Sequence, residues 1–133
     1  MSETEKLFRD HLKLIISNPL EWSKLLSQNV VVEFPYADSM GLPVAYKGLK
    51  AVVNYRKQLP REFEKFEVTK LEVFDHKDSN SLTAIFEGRI PSEGQEDSYA
   101  QKYICFFRTE NGSIAHYIEY WNPAPMIQFM EAR

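Results

Sequence analysis

The chain has 133 residues, 44% hydrophobic and 14% aromatic, with a formal net charge of −3. That composition belongs to the globular class, and the length suits one domain, 1–133, with little room for a second. No dense run of Lys or Arg is present to displace phosphate counterions, so nucleic acid is not an expected partner.

The first nine residues, Met1 to Arg9, are charged and lack the apolar stretch of a secretory leader. Ser2 and Glu5 have capping-box spacing, and Phe8, Leu12, Ile15 and Ile16 follow on one helical face. A second helix is predicted at once. Asn18 caps it, Pro19 suits its first position, Glu21 lies in its first turn, and Leu20, Trp22, Leu25 and Leu26 supply its buried side. Val30 to Phe34 is β-branched and reads as a strand. Residues 35–47 read as a loop punctuated by Pro35, Gly41 and Pro43. The loop is unusually apolar, which fits a segment that covers something. Gly48 leads into a third helix carrying Val52, Tyr55 and Leu59, and Pro60 ends it.

The remainder reads as a β meander. Phe66 to Phe74 is a strand with a phase shift near Thr69 that implies a bulge. A turn at Asp78–Asn80 precedes the strand Leu82 to Ile90, and Pro91–Asp97 is a polar loop. Tyr99 to Arg108 pairs with Ile114 to Trp121 through Asn111–Gly112, a strong hairpin signal. Pro125 to Glu131 is predicted to form a last helical turn whose Met126, Ile127, Phe129 and Met130 pack on the domain or a partner; a pocket lid is the sharper alternative. No apolar run approaches the ~20 residues of a membrane span. The order is three helices interrupted by one strand, then four long strands, which is an α+β domain. A twisted sheet wrapped round a long helix leaves a cavity at its open end.

Four stretches carry a resemblance: Val32-Glu33-Phe34-Pro35-Tyr36, Tyr46-Lys47-Gly48 opening a helix, Asn111-Gly112-Ser113-Ile114, and Glu119-Tyr120-Trp121-Asn122-Pro123. In this order and spacing the chain resembles the SnoaL-like group of the nuclear transport factor 2-like superfamily, which includes ketosteroid isomerase and the phenazine biosynthesis A/B proteins. The resemblance implies a cone-shaped, strongly curved mixed or antiparallel sheet. Three helices of the N-terminal half would enclose an apolar pocket with it, and the chain would form a homodimer. It places a pocket-facing glutamate at Glu119 and a pocket aromatic at Trp121. The catalytic aspartates of the isomerases would fall at Phe34 and near Tyr103 or Ile104, and a pocket histidine of the phenazine proteins near Tyr55. None of the three is present here.

The residues themselves point the same way. Side chains alternate along a strand, so Ala115, Tyr117, Glu119 and Trp121 share a face. Turned inward, Glu119 would sit among rings, its pKa would rise, and it could give and take protons. Pairing of Glu119 with Arg56, Arg89 or Arg108, or exposure to solvent, stands as the structural alternative. Tyr117, Tyr55 and Tyr103 would orient a substrate. Phe34, Phe86 and Trp121 would form walls, with Phe86 rather than Glu87 inward. Asp38 would meet a ligand at the mouth or simply form a turn. His11, His76 and His116 show no ligand spacing, so no metal is expected. No nucleotide or redox motif appears, so no cofactor is expected. Cys105, the single cysteine, reads as a buried inert thiol and suits a cytoplasmic protein.

Three readings follow. The first is a cofactor-free isomerase, cyclase or dehydratase acting on a small apolar organic molecule. The second is a ligand-binding module without catalysis. The third is an interaction domain that uses His116, Ile118 and Tyr120 on the outer sheet face, where a homodimer would form.

Overall fold

In the computed structural model, which describes residues 1–133, the Ser2 hydroxyl accepts the Glu5 N–H at 3.0 Å and starts α1, Glu3–Ser17. The Asn18 side chain accepts the Glu21 N–H and caps α2, Pro19–Ser23. This helix is shorter than its apolar pattern implies. Trp22 is buried, but Leu20 is exposed, and Leu26 already lies in β1, Leu26–Glu33. Strand pairing overrides the helical pattern here, since the Leu25 carbonyl accepts the Ile114 N–H at 2.8 Å.

Residues 35–47 are not wholly a loop. A 3₁₀ turn spans Ala37–Met40, and Ala45–Lys47 forms β2, antiparallel to β1. Helix α3, Leu49–Lys57, follows, and a second 3₁₀ turn covers Arg61–Lys65. Then come β3 (Glu67–Asp75), β4 (Ser81–Ile90), β5 (Tyr99–Glu110), β6 (Ser113–Trp121) and α4 (Pro123–Glu131). The last element is a capped helix of nine residues, because Asn122 accepts the Ala124 N–H and Pro123 opens it.

The six strands form one curved, unclosed sheet in the order β2-β1-β6-β5-β4-β3. All neighbours are antiparallel except β1 and β6, which run parallel. The expected irregularity near Thr69 is present as a register shift between Val68 and Lys70. Asn111 and Gly112 both take positive φ, 51° and 78°, as the tight turn between β5 and β6 requires.

Strand alternation separates two faces. Along β5, Tyr99, Gln101, Tyr103, Cys105 and Phe107 are buried, while Ala100, Lys102 and Ile104 between them are exposed. The inner face is covered by α1, whose Phe8 ring meets Phe107 at 5.2 Å and Phe86 at 6.4 Å. Helix α4 sits at the other end, where Phe129 packs on Phe63 and Tyr99. Gly88 is required by a close approach: a Cβ there would stand 2.1 Å from Phe66 Cζ. No helix is long and apolar enough to cross a membrane.

Candidate active site

Between the inner sheet face and helices α1, α3 and α4 lies a cavity of about 310 Å³. This is the small end of the range for ligand sites, ~300–1,000 Å³. Of its 28 lining residues, 22 are hydrophobic; apart from Pro43 and Pro60, the others are His11, Gln58, Glu119 and Arg133. Met40, Leu42 and Tyr46 of the segment 35–47 line it, so that apolar stretch does cover something. Met126 and Met130 of α4 line it too, while Phe129 packs in the core.

Glu119 points inward. Its register partner is Cys105 on β5, and its strand neighbours on the same face are Tyr117 and Trp121. It is half-buried and is among the residues that line the cavity. Its carboxylate accepts a hydrogen bond from the Tyr117 hydroxyl. Burial raises its pKa, the Tyr117 bond pulls it partly back, and the result is about 7 against an ordinary 4.5. The cations considered as partners are engaged elsewhere. Arg89 pairs with Glu67 and Asp97, Arg108 with Glu110, and Arg56 Nε donates to the Ile15 carbonyl. Arg133, also at the cavity, pairs with Glu62 at 3.1 Å.

The expected ring of aromatic residues assembles around this carboxyl group. Tyr117 and Phe34 are buried, and Phe34 meets Tyr55 at 5.1 Å and Trp121 at 6.5 Å. Tyr103 stacks on Phe86 at 4.6 Å, with Phe86 inward and Glu87 outward beside Lys70. Burial pushes the phenols of Tyr55, Tyr103 and Tyr117 up, and the nearby Glu119 charge adds to the rise, so all three stay protonated donors. The Cys105 thiol is raised for the same two reasons and stays protonated, which matches an inert thiol.

Asp38 does not join them. It lies in the 3₁₀ turn, is exposed, and is not among the lining residues; its carbonyl accepts the Gly41 N–H at 3.0 Å. Its role is the turn. Two further cavity residues, Tyr99 and His11, carry no site role in the sequence pattern above. Tyr99 follows from strand parity, four residues before Tyr103 on the same face. His11 shares a helix face with Phe8 and Ile15, so the helical period carries the signal.

The SnoaL-like domain pattern matches residues 17–117. The chain belongs to the SnoaL-like domain family. Among the relatives of this SnoaL-like domain is the uncharacterised protein YesE of Bacillus subtilis (strain 168). It is 36% identical over 104 residues, covering 77% of this chain and 69% of YesE. The crystal structure of a candidate isomerase from Bacillus subtilis is 29% identical, with a TM-score of 0.80 over 100% of this chain and 98% of that one. A Mycobacterium tuberculosis protein crystallised with estradiol-17beta-hemisuccinate shares the fold at 18% identity. Its TM-score is 0.72 over 94% of this chain and 98% of that one. The SnoaL-like domain thus has the nuclear transport factor 2-like architecture that its motifs imply.

Proposed function

We propose that residues 1–133 act as one domain that catalyses cofactor-free proton transfer on a small, largely apolar organic molecule. Isomerisation, aldol-type cyclisation and dehydration are all within reach of one carboxyl acid/base. The observation that carries this reading is Glu119: a carboxyl group inside an apolar cavity, bonded to one phenol and to no cation, with a pKa of about 7. A group that titrates near the working pH can take a proton and return it. Tyr117 holds the carboxylate in one orientation. Tyr55 and Tyr103 supply further hydroxyl donors, and Phe34, Phe86 and Trp121 form apolar walls. The small ligand class agrees with the estradiol derivative bound by the Mycobacterium tuberculosis relative in fold.

The test has two parts. Infrared titration of Glu119, assigned by difference against Glu119→Gln, is expected to show the protonated carboxyl band growing as pH falls through about 7. A midpoint at the ordinary carboxylate value removes the proposal. A metabolite panel screened by ligand-dependent melting then supplies substrates, and Glu119→Gln is expected to lower their turnover roughly 10²- to 10⁴-fold.

The second reading, binding without catalysis, is favoured by the missing isomerase aspartates, whose places the resemblance puts at about Phe34 and near Tyr103 or Ile104. Ligands that raise the melting temperature and are recovered unchanged support it. We also propose a homodimer through the outer sheet face, where Ile85, Ile104 and Tyr120 lie exposed in one cross-strand row. Sedimentation at rising concentration checks this. A buried single thiol suits a reducing compartment, and the cytoplasm is the expected setting.

A further inference from the structure

A second concave site lies outside the cavity. Between α1 and the start of β3 runs an open groove of about 360 Å³. Arg9, Leu12, Lys13 and Ile16 form its α1 side, spaced i, i+3, i+4 and i+7 along one helix face. Phe66, Val68 and Leu71 form the opposite side. The five apolar residues among these are only half-buried, so the floor of the groove keeps apolar surface in contact with water. A ligand that covers this floor gains the free energy of removing that surface from water.

Leu12, Ile16 and Phe66 also line the cavity, so they form the wall between the two spaces. The Phe66 ring is held in that wall. It stacks on Phe63 at 5.7 Å, meets Tyr103 edge-on at 6.1 Å, and rests on the bare backbone of Gly88. Val68 and Leu71 line the groove alone, as Trp121 lines the cavity alone. The charges at the rim are unequal. Glu67 accepts from Arg89 Nε at 2.7 Å, and Arg9 Nε donates to Glu5 at 2.9 Å, so each of these charges is matched within the protein. Lys13 is exposed and in no ion pair: neither Asp10, one turn before it, nor Glu67 of the groove lies within pairing distance. The groove therefore combines an apolar floor with one uncompensated ammonium at its edge. Its complement is a single negative charge on an apolar body.

We propose that the groove between α1 and β3 is a second ligand site, and that it binds a free medium-chain carboxylic acid. The chain lies on Leu12, Ile16, Val68 and Leu71, and the carboxylate meets the Lys13 ammonium. At ~1.5 Å per residue the stretch from Arg9 to Ile16 runs roughly 10 Å, the reach of roughly eight carbons. Arg9 stands one turn before Lys13 on the same face. Its bond to Glu5 uses Nε and leaves its two terminal nitrogens free to face the same anion. The site is separate from the chemistry assigned to Glu119 and stands whether or not the cavity is catalytic.

The experiment uses the whole chain with octanoate and 1-octanol, two probes of one chain length that differ in charge. Methyl resonances of Val68 and Leu71 report the groove, and the Trp121 indole resonance reports the cavity. Octanoate is expected to move both sets of methyls and to leave Trp121 in place. Lys13→Gln is expected to weaken octanoate roughly two- to fivefold, the share of one exposed ion pair, and to leave 1-octanol unchanged. Added salt, roughly 0.5 M, should weaken octanoate in the wild type and much less in Lys13→Gln. Leu71→Thr thins the floor and should weaken both probes alike, with thermal melting to confirm that the fold is kept. If octanoate moves Trp121 and not Val68 and Leu71, the acid enters the cavity and the groove assignment falls. If octanoate binds no better than 1-octanol, or equally well to Lys13→Gln, the groove does not read charge and the acid is the wrong ligand. Silence of both sets of methyls at millimolar octanoate removes the site outright.

Discussion

The two faces of the sheet treat the same residue type in opposite ways. On the outer face Glu33 reaches His116, Glu67 reaches Arg89 at 2.7 Å, and Glu87 lies 3.8 Å from Lys70, all within reach of water. On the inner face Glu119 has one phenol and a wall of rings. The outer carboxylates are solvated ion-pair partners, whereas the inner one titrates near neutrality. One step of strand register separates these fates, since Ile118 and Tyr120 on either side of Glu119 face outward. Chemistry here is assigned by face, and residue type alone does not decide it.

Neighbours on one strand give the sharpest break between the faces. Phe86 is 2% exposed and stacks on Tyr103, while Ile85 beside it is 47% exposed. Phe86→Ala is expected to cost roughly 3–5 kcal/mol in denaturant unfolding. Ile85→Ala is expected to change monomer stability by less than about 0.5 kcal/mol. Its measurable effect should instead be weaker self-association in sedimentation, because Ile85 sits in the apolar row through which the homodimer is proposed. Equal unfolding costs for the two variants would erase the distinction.

The next effect is the pH dependence that the inner face imposes on stability. Folding raises the Glu119 pKa from 4.5 to about 7, so between those values the native state holds a proton that the unfolded chain has released. The stabilising contribution is complete below 4.5 and is lost as pH rises through about 7, up to about 3 kcal/mol. His11 acts in the opposite direction. Its pKa falls from 6.5 to about 4, so its contribution is complete above 6.5 and is lost as pH falls toward 4. Between 4.5 and 6.5 the two slopes oppose, and the wild-type profile is expected to be nearly flat in their share. Glu119→Gln should melt higher than wild type at pH 8, with the gap closing by pH 5. Thermal scans of both proteins across pH decide it, and a gap independent of pH would place the carboxyl group in ordinary water.

Much of this contrast is legible in the amino-acid sequence. Period-two alternation puts Tyr117, Glu119 and Trp121 on one face and Phe86 opposite to Glu87, because a strand offers a side chain only two directions. The Asn111–Gly112 turn and the bulge at Thr69 are local signals, and both stand at the expected positions. Non-local pairing is harder to read. Strand β2 has three residues between Pro43 and Gly48, too few to show alternation, and the parallel contact of β1 with β6 joins segments far apart in sequence. The pattern overextends α2 because Leu25 and Leu26 fit a helical face as well as a strand. At the site, the apolar character of its loop draws Asp38 toward the cavity mouth, but a 3₁₀ turn faces it to solvent. His11 lies on the right helix face, yet its partner Trp22 meets it only when α1 packs on α2.

The smallest expected effect belongs to the outer face and completes the contrast. His116 Nε2 meets Glu33 between β6 and β1, and both side chains are partly exposed. Water screens such a pair, and side-chain ordering offsets part of its attraction, so exposed pairs contribute about 0.2–1 kcal/mol. Glu33→Gln is therefore expected to lower stability by less than about 1 kcal/mol near pH 6, and 0.5 M salt should shrink that difference further. Glu119→Gln, by contrast, should respond little to salt, because ions do not enter the apolar cavity. Urea titrations of both variants at two salt concentrations read the comparison directly. If the Glu33 variant lost several kcal/mol and ignored salt, the outer face would be buried in solution, and a tightly associated second copy would be the cause to seek.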